Sequence, residues 1–272
     1  MKTLRITLLS NKQGVSHAIS AVIVTTTIIA LVLAASMYAY QVLEQHRATA
    51  EFECAKQSIL AFNDALENAA WKPQAARSTR FTIEYGDLQL IPDATSLIVT
   101  VDGVTDPLYS NSTGVVKYYI KNRYVNFGEG YESYILGDAS ILVVGNTESY
   151  GRALIKQSSG WVTITLDYRV RAMRTSVIQV DEGDEGTVNY VDIWIVKVIV
   201  GQKSSYIHDF DLKVRCLDVK TTTYGPYPEQ GTADDCTIIV QLDGSTPISD
   251  TIDLVLGKVV FNVIVTKVQV TV

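Results

Sequence analysis

Between Ala18 and Leu43 the chain carries no Asp, Glu, Lys, Arg or His. No other stretch restricts the fold as strongly. As a helix, Ala18–Tyr40 covers about 35 Å, slightly more than the hydrocarbon core of a bilayer. Val, Ile, Leu and Ala dominate it. The polar members Ser20, Thr25, Thr26, Thr27 and Ser36 have hydroxyls that can bond back to the helix's own carbonyls. Tyr38 and Tyr40 fall where an interfacial aromatic belt would sit. Lys2, Arg5 and Lys12 precede the run, while Glu44, Glu51 and Glu53 follow it. That asymmetry keeps the N-terminus cytoplasmic and sends the bulk of the chain outside. Three readings remain open. The run is a permanent signal anchor, a secretory signal peptide cut near Ala34-Ala35-Ser36, or a helix left on the mature protein by a signal that is cut before the apolar run. An ordinary signal-peptide apolar region is shorter than this one.

The third reading has specific residues behind it. Asn11-Lys12-Gln13-Gly14-Val15-Ser16-His17-Ala18-Ile19-Ser20-Ala21-Val22-Ile23 resembles the start of archaeal type IV pilin-like and flagellin-like proteins. Those typically show a short basic leader, a Gly or Ala at the cut, then Val-Ser and an aliphatic run. The resemblance covers roughly residues 1–45 and implies cleavage between Gly14 and Val15. It departs from the pattern at Gln13, where a basic residue is common, and at His17, where proline is frequent. Ile19 stands at the fifth mature position, where bacterial pilins usually carry glutamate, which favours the archaeal kind. The resemblance further implies a cell-surface protein handled by a prepilin-type peptidase and a pilus assembly machinery.

Beyond the apolar run, residues 15–72 contain neither Gly nor Pro, which predicts one long helix. Phe52, Ala55, Ile59, Phe62, Leu66 and Ala69 recur at alternating spacings of three and four, an apolar seam. Glu44, Arg47, Glu51, Lys56, Asp64 and Glu67 lie off it. The seam suits a short coiled coil with another chain, or docking onto the chain's own β domain; the second is the expectation here. Pro73 ends the helix. From Arg80 the period becomes two. Strands are predicted at 80–85, 95–101, 115–121, 139–144, 149–156, 161–170, 187–200, 210–219, 236–242, 251–256 and 258–270. A strong hairpin is expected around Ser158-Ser159-Gly160, two β-rich runs joined by a Gly-containing loop. The expected fold class is α+β: a long N-terminal hydrophobic helix followed by an antiparallel β-sandwich-like body. The expected organisation is a basic leader over 1–14, the helix over 15–72 and an outer β domain over 80–272. That domain has a potential division near 181–186, and Thr221–Asp235 is expected to be a surface loop.

Charge and composition narrow the function classes. With 47% hydrophobic and 19% charged residues the chain is neither disordered nor collagen-like. The first 14 residues hold three bases and no acid, so a net charge of −6 leaves −9 on the rest. That argues against nucleic acid as a partner, even though Lys117–Tyr124 interleaves bases with aromatic residues as single-strand binders do. Strand alternation produces the same string, and Tyr168–Arg174 reads the same way. Cys216 and Cys236 either pair, which export permits, or are two buried thiols; Cys54 is left over. No CxxC or Cys/His cluster predicts a metal, and no cofactor is expected. Asp181–Gly186 packs four carboxylates into six residues, a pattern calcium favours but a solvated turn also explains. Asn111-Ser112-Thr113 is an N-glycosylation acceptor pattern in a turn-like stretch. No nucleophile elbow or phosphate loop is present, and His208 beside Asp209 marks out no nucleophile. The expected role is therefore non-enzymatic. The chain reads as a structural subunit of a pilus-like filament, contacting membrane lipid through residues 15–40 and associating with its own copies. The alternative is a single-span surface protein whose β domain binds a ligand or carbohydrate without polymerising.

Overall fold

The computed structural model describes residues 12–145 (side chains from Ile19 onward), 148–179, 186–201, 204–227, 235–244 and 246–272. The leader up to Asn11, the acidic segment Asp181–Glu185 and residues 228–234 lie outside the described residues. Among the described residues, one helix, α1 (Lys12–Ala70), is followed by twelve strands. Residues 1–47 and 48–272 form two separate compact units.

In the first unit every residue from Ile19 to Tyr40 is exposed. Large apolar side chains point to all sides, with Ile28 at 55%, Leu31 at 64% and Met37 at 69% exposure. The three threonines satisfy their hydroxyls internally, as the sequence suggested. Thr25, Thr26 and Thr27 donate to the carbonyls of Ala21, Val22 and Ile23 at 2.7, 2.7 and 2.8 Å. The helix is long and apolar enough to cross a membrane, and the same composition suits a signal sequence.

The second unit begins with the last turns of α1. All six seam residues, Phe52 to Ala69, are buried, and they pack among strand residues in one hydrophobic cluster. The seam therefore docks on this chain's own strands.

The strands are β1 (Ala76–Val101), β2 (Tyr109–Lys121), β3 (Glu132–Leu136), β4 (Leu142–Val144), β5 (Gly151–Ser158), β6 (Trp161–Tyr168), β7 (Val170–Gln179), β8 (Thr187–Val200), β9 (Ser204–Tyr227), β10 (Asp235–Leu242), β11 (Ile248–Asp253) and β12 (Lys258–Thr271). They hydrogen-bond into a single sheet in the order β3-β5-β6-β2-β1-β9-β12-β8-β7-β4, with β10 joined to β1 and β11 to β10. The long β1 serves two cores. Its first part pairs with β9 and buries Phe81, Ile83, Leu88 and Leu90 against α1. Its last part pairs with β10 and buries Leu97, Val99 and Val101 in a second cluster. The sheet also curls back on itself. Although β2 and β8 are not neighbours in the sheet, Val198 N donates to Thr113 Oγ1 at 2.9 Å in the buried interior.

Three expectations are corrected. The sheet is mixed, because β12 runs parallel to β8 from Lys258↔Val188 to Val270↔Val200, and β4 runs parallel to β7. Alternating side-chain pattern reports which face is buried but not strand direction. Thr221–Tyr227 is not a loop but the end of β9, paired with β12 up to Val259↔Tyr227. Finally, the Asn111 segment is not a turn: it lies in β2, with Asn111 opposite Leu97 of β1. The hairpin forms where its turn residues placed it. Ser158 faces Trp161 across Ser159 (φ 53°) and Gly160 (φ 82°), the two left-handed positions that a tight hairpin requires.

Candidate functional site

Two places concentrate polar chemistry on this scaffold: the docking points of α1, and a cleft on the outer face of β1, β2, β6 and β5.

The docking points are built from carboxylates that lie off the apolar seam. Between Ile83 and Leu88 the register of β1 against β9 shifts, and pairing with β2 starts only at Asp87. The amides of residues 84–86 are thus left without ladder partners, a cost unless something accepts from them. Glu51 does so. Its Oε2 accepts from Glu84 N at 2.7 Å and Tyr85 N at 2.8 Å, and its Oε1 from Gly86 N at 2.8 Å and Tyr118 OH at 2.9 Å. Burial, with the Glu51 charge beside it, pushes the Tyr118 phenol well above its ordinary value. One turn from the helix end, Glu67 Oε1 accepts from Ser149 Oγ at 2.6 Å, Gly151 N at 3.1 Å and Asn63 Nδ2 at 3.1 Å. The carbonyl of Ala70, otherwise an orphan of the helix terminus, accepts from Cys216 Sγ at 3.1 Å and from Thr266 Oγ1.

This packing leaves no room for a side chain at Gly86. A Cβ there would stand 2.4 Å from Tyr118 Oη. Gly86→Ala is expected to destabilise the fold by about 1–3 kcal/mol, by overpacking and by disturbing the Glu51 contacts. A denaturant-unfolding midpoint no lower than that of the parent chain would refute this account of the site.

The cleft has a volume of about 600 Å3. Strand alternation sends Tyr118, Ile120, Val162 and Ile164 into the core and leaves Lys117, Tyr119, Lys121, Trp161 and Thr163 on the other face. Register sets Tyr119 beside Thr163 and Lys121 beside Trp161, with Lys156 of β5 next in line. The Tyr119 and Trp161 rings meet edge to face at 6.4 Å. The Lys117 ammonium lies 5.0 Å from the Tyr119 ring centre, and that of Lys121 5.8 Å from Trp161's. Burial and the charge of Lys156 both lower the Lys117 pKa. Of the interleaved basic and aromatic string Lys117–Tyr124, only Tyr118 and Ile120 are thus buried in the core. The second basic string does not form a surface patch. Arg169 is buried, donating to Glu148 Oε2 at 3.0 Å and Ser149 O at 2.6 Å, and the Arg171 guanidinium stacks 3.8 Å from the Tyr150 ring centre.

The other sequence-derived positions are dispersed. Gly14 and Val15 belong to the first turn of α1. Asn111 is exposed, and its Oδ1 accepts from Lys197 Nζ at 2.7 Å and Ser112 N at 2.9 Å. All three cysteines are free. Cys216 sits against the helix end, whereas Cys236 belongs to the second hydrophobic cluster, so the 216–236 disulfide left open by the sequence is not made. Burial, with Asp102 and Asp235 nearby, pushes the Cys236 thiol up to about 12. In the folded chain a maleimide is therefore expected to label Cys54 alone, and all three thiols only after denaturation; rapid labelling of a second thiol in the folded protein would contradict this. Among the described residues no group of three His, Cys, Asp or Glu side chains could hold a metal ion. The acidic segment Asp181–Glu185, read from the sequence as a solvated turn or a calcium-favouring one, lies outside the described residues.

Neither family models, nor curated proteins, nor solved structures match this chain.

Proposed function

We propose that the chain is a subunit of a cell-surface filament of the archaeal type IV pilus kind, inserted through its apolar helix, cut after Gly14 and then assembled through residues 15–40. The observation that carries this reading is the exposed, uncharged helix surface from Ile19 to Tyr40. Fully burying each such Ile, Leu or Val side chain contributes about 1.5–3 kcal/mol. The nine of them between Ile19 and Leu33 sum to roughly 14–27 kcal/mol, so this surface is covered by lipid or by other copies and not by water. In a filament, neighbouring helices would replace the lipid. The β unit would face outward for adhesion, enclosed in a sandwich-like way by its curled sheet, and a glycan on exposed Asn111 fits such a surface.

The basic leader supports the same order of events. Lys2, Arg5 and Lys12 hold the N-terminus on the cytoplasmic side until the peptidase acts. Intact-mass measurement of the native protein tests the processing. A chain beginning at Val15 is expected, and one beginning at Met1 or Lys2 would refute the prepilin-type signal. A second reading, a membrane-anchored surface protein that never polymerises, is favoured by the cleft beside Trp161, which suits ligand binding in either setting.

A further inference from the structure

Beyond assembly, we propose that the cleft across β1, β2, β6 and β5 binds an acidic oligosaccharide of the uronate type, with a sugar ring against Trp161 and Tyr119 and its carboxylate held by Lys117. The proposal is independent of whether the helix polymerises or stays in a bilayer.

The face is unusual for the outside of a sheet in an acidic protein. Trp161 is 41% exposed, so a large apolar ring stands among polar neighbours. The C–H faces of a sugar ring are apolar and weakly electropositive, and they complement the electron-rich face of an indole or phenol. The hydroxyls at the ring's rim need hydrogen-bonding partners. Gln89, Ser158, Ser159 and Thr163 line the same cleft. Its volume falls in the range of small-ligand sites.

Charge selects an acidic sugar over a neutral one. Lys117 is half-buried and has no carboxylate within ion-pair range among the described residues. The nearest acids are engaged elsewhere. Lys156 takes Glu132 at 2.6 Å. Asp87 accepts from Gln89 Nε2 at 2.8 Å and from Ser205 Oγ. The Glu129 carboxylate accepts from Ser159 N at 2.9 Å. Among the described residues, Lys117 and Lys121 thus each lie against an aromatic ring and join no ion pair. Burial, and after it the charge of Lys156, disfavour the charged form of Lys117, and a carboxylate entering beside it would offset both.

The same rings and lysines resemble a single-strand nucleic-acid platform, but the surroundings disfavour it. Such a groove tracks several successive phosphates with a continuous basic stripe. Here Asp87, Glu129 and Glu132 border the site, and the body as a whole is acidic. One carboxylate per sugar, spaced by neutral hydroxyls, matches two free ammonium groups better than a phosphate chain does.

Calorimetric titration of the full chain in mild detergent with tetragalacturonate tests the proposal, with maltotetraose and an oligothymidylate as comparison ligands. Saturable binding of tetragalacturonate is expected, at least about tenfold tighter than either comparison ligand. Lys117→Gln and Trp161→Ala are each expected to weaken it about tenfold or more, while Lys117→Arg retains it. Thermal unfolding midpoints of the variants close to the parent's show that a loss of binding is local. Lack of saturation by tetragalacturonate at concentrations on the order of 1 mM overturns the proposal. So does equal binding of maltotetraose, tighter binding of the oligothymidylate, or affinity unchanged in both Lys117→Gln and Trp161→Ala.

Discussion

Glu51→Ala is expected to cost the β unit about 3–5 kcal/mol of folding stability, most of it from groups left behind and not from the carboxylate itself. Four donors converge on this side chain: the amides of Glu84, Tyr85 and Gly86, and the Tyr118 hydroxyl. Hydrogen bonds to a charged acceptor contribute more than neutral ones, and a buried donor left without an acceptor costs about 1–3 kcal/mol. The Tyr118 side chain is fully buried, so its hydroxyl has no water to turn to. The amides sit where β1 leaves register with β9, so no strand can take them up. Glu51→Gln keeps one acceptor oxygen but turns an NH2 towards donors, and should lose about half as much. Tyr118→Phe removes one donor and its need together, and should cost about 1 kcal/mol. Guanidinium unfolding of the full chain in mild detergent, followed by fluorescence, checks this ranking. If Glu51→Ala unfolds at the parent's midpoint, the carboxylate is not what holds the helix end to the bulge.

Ile29→Arg is expected to abolish productive insertion and assembly while leaving residues 48–272 folded. Ile29 lies at the middle of the uncharged run and is 53% exposed. In a bilayer, exchanging Ile for Arg at a helix centre costs about 3–4 kcal/mol on insertion scales, a shift of more than about 100-fold. Within a bundle of apolar helices the charge has no water and no counter-ion, and the cost of desolvation is several kcal/mol. Both environments thus reject it. Ile29→Leu keeps size and hydrophobicity and should behave as the parent. Yield of membrane-bound or filamentous protein, compared between the two variants, is the measurement. Normal yield for Ile29→Arg would mean that the helix is covered by something other than lipid or its own kind.

What the sequence made legible was periodic. The Phe52–Ala69 seam could be read because its spacing of three and four is set by the helix itself, and each of those residues is buried. The β5–β6 hairpin was readable because Ser159 and Gly160 accept the backbone angles that the turn demands. What was not legible depends on partners far along the chain. Glu51 read only as one of several charges off the seam, since its acceptor role is created by a register shift in β1, far along the chain. The parallel pairing of β12 with β8 has no local signature, because either direction buries the same alternate residues. Gly225 and Pro226 made the end of β9 look like a loop, although the strand continues through them beside β12. The cleft was half visible: Lys117, Tyr119 and Lys121 alternate in one string, but Trp161 and Lys156 join them only through the order of β2, β6 and β5.

The central claim, that the exposed helix from Ile19 to Tyr40 packs against copies of itself, is tested most directly by electron microscopy of native cell-surface material. Regular filaments are expected. Preparations that contain only dispersed single particles in detergent, with no filament at any stage of isolation, would contradict it.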